Sequence, residues 1–275
     1  MQPPSKRLSF AFPASKSVTD FLFPWFQQGR LIMVMEDKML RYAAAHPFEE
    51  VCGLVIDNEY FYPCTNVSET PYNSFKISPD DYIKADELGV ITAVFHSHVD
   101  DIPVLSARDR QQQVISGLPW LLYSGGRIRK FRPVAHLLGR KFVHGTTDCY
   151  ALFRDAYHLC GVDLPDFERL DGWWLRGENL YLKNLPINGF YQVDAQSIQP
   201  GDVIIRQPFK GADPCHAMIY LGDNTVLHHD NAGLLSRREQ MRPAYVRQTH
   251  SIWRSDKCSN LDLRAIFEDI TAKCV

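Results

Sequence analysis

The chain has 275 residues, of which 45% are hydrophobic and 23% charged, with a formal net charge of -2. This is ordinary globular composition, enough for one large or two modest domains with buried cores; it offers no basic nucleic-acid surface and no apolar run near the roughly 20 residues of a membrane span. Seven cysteines at irregular spacings, with no Cys-x-x-Cys pair, read as free thiols of a reducing compartment rather than a disulfide frame.

Residues 1–34 read as a poorly packed extension. Pro3, Pro4, Pro13 and Pro24 break any period, and no clean apolar core with a small-residue cleavage site follows Lys6-Arg7. Met33 or Met35 is then an alternative start. A docking segment built on Phe21, Phe23, Trp25 and Phe26 is the competing reading. A helix is expected over 38–45, ending before Pro47. Val51 to Ile56 reads as a buried strand, and Phe61-Tyr62-Pro63 begins a second after a turn. Ser78 and Pro79 open another helix. Val90 to Phe95 is the strongest strand pattern and delivers His96-Ser97-His98 at its end.

Residues two apart on a strand point the same way, so His96 and His98 can reach one metal ion. Ser106-Ala107-Arg108-Asp109 fits a helix start with Ser106 as N-cap and Asp109 at the third helical position. Two imidazoles and a carboxylate, with a fourth position for water, form a catalytic zinc arrangement. Glu50, just before a strand, can serve as general base toward that water. The plainer readings are an exposed His-x-His, a helix cap and a solvated charge.

Ser124-Gly125-Gly126 and the basic stretch to Pro133 lead to a boundary near 134–140, with Ile128 and Phe131 in a last strand. Then His144 to Tyr157 runs from a polar turn into an amphipathic helix. Thr147 or Asp148 can cap it. Cys149 then sits in the first turn, where free N–H groups and the helix dipole favour a thiolate and can hold an oxyanion. The alternative is a small buried core cysteine. Trp173-Trp174 either walls a groove or packs in a core. Gly201 to Ile205 is a strand after a Pro-Gly turn, and His216 to Leu221 is another. Gly222-Asp223-Asn224 turns the chain into Thr225 to His228. His216 and His228 thus lie side by side, a base and a group to orient it beside a thiol nucleophile. Leu261 to Ile270 has helix periodicity but no legible chemistry.

Two resemblances follow. Asp148-Cys149, Pro200-Gly201-Asp202-Val203, His216-Ala217 and Leu227-His228-His229 resemble the NlpC/P60 family of papain-like peptidases, which cleave peptide stems of bacterial cell walls. By position Cys149 matches the nucleophile, His216 the base and His228 the third catalytic residue, with His229 as the lesser alternative. Many members carry a tyrosine upstream of the cysteine; Phe142 and His144 stand there here, so the oxyanion role stays unassigned. Glu50 to Leu54, His96-Ser97-His98 and Ser106 to Asp109 resemble the JAMM signature of the MPN metalloprotease fold. That likeness implies Zn2+ held by His96, His98 and Asp109, Glu50 as base, and Ser106 supporting the tetrahedral intermediate. Val99 departs from the usual proline.

The implied architecture is α+β to α/β in two domains. Residues 35–135 form the MPN (JAMM) fold and 136–275 the papain-like NlpC/P60 fold. That domain order resembles tail-assembly proteins of lambda-type bacteriophages. It implies a hydrolase with peptidoglycan stem peptides and phage tail-tip proteins as partners, in the host cytoplasm during assembly or at the virion tail tip. The competing class is an assembly factor without catalysis, or a protease acting on a tail protein.

Overall fold

The structure is a computed structural model, and it describes residues 34–230 and 233–274. The reading of 1–34 as a poorly packed extension therefore lies almost wholly outside the described residues. The first helix, α1, spans 34–44 rather than the expected 38–45. β1 (Cys52–Ile56) is buried throughout and sits inside a five-stranded sheet with β2 (Tyr60–Cys64), β3 (Ile91–Ser97), β4 (Trp120–Ser124) and β5 (Arg127–Phe131), in the order β2-β1-β3-β4-β5. Asp57 and Asn58, at φ 51° and 59°, make the β1–β2 turn; both side chains tolerate the left-handed region that tight hairpins need. α2 (Pro79–Leu88) starts as the sequence suggests, with Ser78 Oγ accepting from the Asp81 N–H and Pro79 in the first turn. α3 (Ala107–Ser116) links β3 to the parallel β4.

The second sheet has six strands: β6 (Phe190–Val193), β7 (Val203–Arg206), β8 (His216–Gly222), β9 (Thr225–His228), β10 (Arg237–Gln240) and β11 (Thr249–Ser255), in the order β10-β9-β8-β7-β11-β6. Alternation along the strands gives it two apolar faces. Val203, Ile205, Ala217, Ile219 and Leu227 share one core cluster with Leu152, Phe153, Ala156 and Tyr157 of α4 (Cys149–Leu159). Ile204, Met218, Val226 and Ile252 form another with Tyr245 of α6 (Pro243–Gln248). α5 (Leu180–Ile187) precedes β6. Among the described residues no helix is long and apolar enough to cross a membrane, and Cys52, Cys64, Cys149, Cys160, Cys215 and Cys258 are free thiols.

The final helix, α7 (Arg264–Cys274), begins later than the expected Leu261. It also carries chemistry that its sequence did not suggest. It packs on α3 of the first unit, and the main core cluster runs unbroken from Leu54 and Leu122 to Ile219 and Ile266. Asp269, fully buried, accepts from Arg110 Nε at 2.9 Å and from the Leu137 N–H at 2.7 Å, and lies 3.1 Å from His136 Nδ1. Arg110, 1% exposed, also donates to the Val134 carbonyl and to Gln113. Arg132 and Arg140 both bind Asp155 of α4. The crossing segment near 134–140 is thus bolted down at several points rather than free to hinge.

Candidate active sites

Asp148 fixes the start of α4. Its Oδ1 accepts from the Ala151 N–H, and its Oδ2 from the Gly145 N–H and from Arg169 Nε at 2.8 Å. This N-cap, itself 2% exposed, holds Cys149 in the first turn as the capping residues suggest. Sγ lies 3.2 Å from Tyr181 Oη and 3.8 Å from the Cys215 carbonyl, beside the Ala217 N–H. The nucleophile candidate therefore touches the main chain on both sides of His216; among the described residues its side-chain hydrogen bond is to Tyr181.

Burial opposes the stabilisation of a thiolate that the helix start offers Cys149. Burial, reinforced by the Asp148 charge, pushes the Cys149 thiol up to about 11 despite Tyr181 and the Ala217 amide. A helix end contributes typically under 1 kcal/mol to a charge at its first turn, too little to offset that desolvation. Burial thus favours the neutral thiol at Cys149. Its alkylation by iodoacetamide is expected to be slow at neutral pH. The rate should rise about tenfold per pH unit toward pH 11, since only the thiolate reacts. A rate already on its plateau at pH 7, followed by mass spectrometry of the Cys149 peptide, would show a preformed thiolate instead.

His216 opens β8 and His228 closes β9. Met218, not His216, is the direct cross-strand partner of His228, so the two rings meet on the diagonal. His216 Nε2 and His228 Nδ1 are 3.2 Å apart. On the far side His228 Nε2 lies 2.6 Å from Glu239 Oε1. Burial of the His216 ring, foremost, holds it well below the usual imidazole range. His229 packs instead against Phe142, with ring centroids 5.1 Å apart, so the contact with His216 belongs to His228. Trp173 is core, 2% exposed, while the half-buried Trp174 ring stands 5.6 Å from His144.

In the first unit, β3 carries His96 and Ser97 within the strand, and His98 follows at once. His96 Nε2 and His98 Nε2 are 3.2 Å apart; Asp109 Oδ2 lies 3.4 Å from the first and 3.2 Å from the second. Phe75 stacks on His96 and Trp120 meets it edge-on. His98 Nδ1 is 2.9 Å from the Ile102 carbonyl, which can only accept, so Nδ1 carries the proton and a neutral ring turns a lone pair on Nε2 toward the carboxylate. Such a convergence of lone pairs asks for a cation. Burial opposes charge on His98, yet the hydrogen bond and charge of Asp109 outweigh it and lift the ring to about 9, so Nε2 holds a proton toward Asp109 until a cation displaces it. Helix capping and ligand geometry coexist at Ser106 and Asp109. Ser106 Oγ accepts from the Asp109 N–H and donates to Oδ2 at 2.7 Å, a complete capping box that also aims the carboxylate.

Glu50, 7% exposed, has its carboxyl lifted to about 7 by burial. With His98, Ser106 and Asp109 it lines a cleft of about 720 Å³, to which α7 adds Arg264 and Glu268. Glu268 also accepts from the Ala107 N–H at 2.7 Å.

Residues 139–254 match the NlpC/P60 family. The chain is 48% identical over 196 residues to tail tip assembly protein K of Escherichia phage lambda, covering 71% of this chain and 98% of that protein. It is 34% identical over 206 residues to tail tip assembly protein K of Escherichia phage N15, covering 70% and 83%. The chain belongs to the tail tip assembly protein K family. Among solved structures, an NlpC/P60 family protein from Bacillus cereus ATCC 10987 aligns at 17% identity over 78% of this chain and 66% of that one, with a TM-score of 0.34.

In this K-family chain Cys149, His216 and His228 gather at one end of α4 and β8, and His96, His98 and Asp109 gather at another place around β3 and α3. Three partners lay outside the sequence motifs. Tyr181 reaches Cys149 from α5, Glu239 reaches His228 from β10, and Arg169 braces the Asp148 cap. Glu239 alone left a local trace, an acid two residues past Arg237 and so on the same side of a short polar strand.

Proposed function

We propose that this K-family chain serves phage tail assembly as a cysteine peptidase that cleaves peptidoglycan stem peptides. Cys149 is the nucleophile, His216 its base and His228 the residue that orients the base. The observation that carries this reading is the His216–His228 hydrogen bond at 3.2 Å, formed where Cys149 Sγ meets the main chain flanking His216. With the thiol neutral at rest, attack and proton transfer to His216 belong to one step. Tyr181 Oη, 3.2 Å from Sγ, and the free N–H groups at the start of α4 supply donors for the oxyanion. Tail-tip proteins are its partners, met in the host cytoplasm during assembly. The test gives purified full-length protein to isolated peptidoglycan and follows released peptides by mass spectrometry. Release of stem-derived fragments supports the reading, and intact sacculi after prolonged incubation would sink it.

The second site supports a zinc-dependent JAMM-type peptidase of the MPN fold in the same chain. The convergence of His96, His98 and Asp109, with ligand atoms within 4.8 Å of one another, fits Zn2+ by donor type. Bound there, zinc would supply Lewis-acid activation of water and of a peptide carbonyl. Ser106 holds Asp109 in position, and Glu50 takes up and returns a proton at the mouth of the cleft. Zinc-equilibrated protein is expected to hold about one zinc per chain at this site, lost in the His96→Ala, His98→Ala double variant. His216, His228 and Asp230 also bring three ligand atoms together, so the difference between wild type and variant, read by mass spectrometry of metals, is the informative quantity. Equal zinc in both would remove the site.

A further inference from the structure

Glu239 stands on β10 one diagonal step beyond His228. Arg237 is the cross-strand partner of His228, and Glu239 follows on the same face two residues later. His216, His228 and Glu239 therefore descend across three neighbouring strands, linked by contacts of 3.2 Å and 2.6 Å. The carboxylate is itself held in place. Tyr245 Oη donates to Oε1 at 2.7 Å, Arg237 Nε donates to the same oxygen at 3.0 Å, and Arg242 binds Oε2. Burial favours the acid form, but the hydrogen bonds from Tyr245, His228, Arg237 and Arg242 outweigh it and keep the carboxyl at about 2. An ionised carboxylate only accepts. The proton of the 2.6 Å bond therefore sits on His228 Nε2.

We propose that Glu239 is a positioning residue of the cysteine site, fixing the tautomers of both histidines so that His216 keeps a bare Nδ1 as its basic nitrogen. His228, neutral with its proton on Nε2, presents a lone pair on Nδ1. His216 must then donate from Nε2 into the 3.2 Å contact. A neutral imidazole has one N–H, so His216 Nδ1 is left to accept a proton. Asp230 Oδ1, 4.0 Å from that Nδ1, favours the opposite tautomer but from well beyond hydrogen-bond range, so the short Glu239 contact decides. When His216 takes the Cys149 proton and becomes cationic, its Nε2–H already points into a chain that ends on a negative charge.

The inference rests on the peptidase reading above, and its first test does not need turnover. In full-length wild-type protein, long-range 15N–1H correlation of the histidine rings should show both His216 and His228 protonated on Nε2 at neutral pH. Glu239→Gln, nearly the same size and uncharged, should leave His228 and His216 in mixed tautomers with the folded fraction unchanged. On stem peptides the same variant should lower kcat with KM held. A mis-set tautomer costs about 10⁴-fold where the carboxylate touches the base directly; one imidazole further out, a loss on the order of 10²-fold is expected. His216 protonated on Nδ1 in the wild type, or the same tautomers in wild type and Glu239→Gln, would overturn the proposal. If the wild type cleaves nothing, the peptidase reading fails while the tautomer measurement still decides the role of Glu239.

Discussion

Cys149→Ala is expected to abolish release of stem peptides from peptidoglycan, by on the order of 10⁴-fold or more, as removal of a nucleophile does in other triads. The change removes one sulfur atom from a side chain that is 9% exposed. The cap at Asp148 is made by its own carboxylate with the Gly145 and Ala151 N–H groups and Arg169, so α4 keeps its start and folding survives. Zinc content should not change, because Cys149 shares no ligand with His96, His98 or Asp109. His216→Ala should fall to the same floor, and the double variant no further, since nucleophile and base act as one unit. A residual rate within tenfold of wild type in Cys149→Ala, with fragments of the same mass, would take the nucleophile away from this residue. In a phage, full infectivity of the Cys149→Ala, Glu50→Gln combination would place the chain among non-catalytic assembly factors.

Asp269→Ala should destabilise the whole chain by about 3–5 kcal/mol, the range for stripping one partner from a buried ion pair. It leaves Arg110, 1% exposed, without its carboxylate, and the Leu137 N–H without an acceptor. The pair joins α3 of the first unit to α7 of the second, and the core around it is continuous. Urea unfolding followed by tryptophan fluorescence and by far-UV circular dichroism should therefore shift together in the variant. Arg110→Met combined with Asp269→Leu should recover much of the loss, because a pair of apolar side chains leaves no uncompensated charge. A shift under about 1 kcal/mol in the single variant, or separate transitions for the two probes, would show that the clasp does not unite the halves. The two candidate sites lie in the 35–135 and 136–275 halves of the chain, and α7 of the second half packs on α3 of the first.

The features legible in the order of residues are local ones. Ser78, Ser106 and Asp148 cap the helices that follow them because N-cap bonds reach only to the next turn. His96 and His98 converge because strand parity puts alternate residues on one side, and Asp109 joins them because its capping box fixes its direction. The order Cys149, His216, His228 was legible for the same reason: each stands at the end of an element whose period the sequence displays. Other contacts depend on how distant segments meet in the fold. Tyr181 meets Cys149 across 32 residues and Asp269 meets Arg110 across 159, contacts that no periodicity encodes. The choice of His228 over His229 follows from β8–β9 register and from Phe142, which occupies the neighbouring ring. At Cys149 depth works against the helix end: the dipole favours a thiolate, and burial favours the neutral thiol.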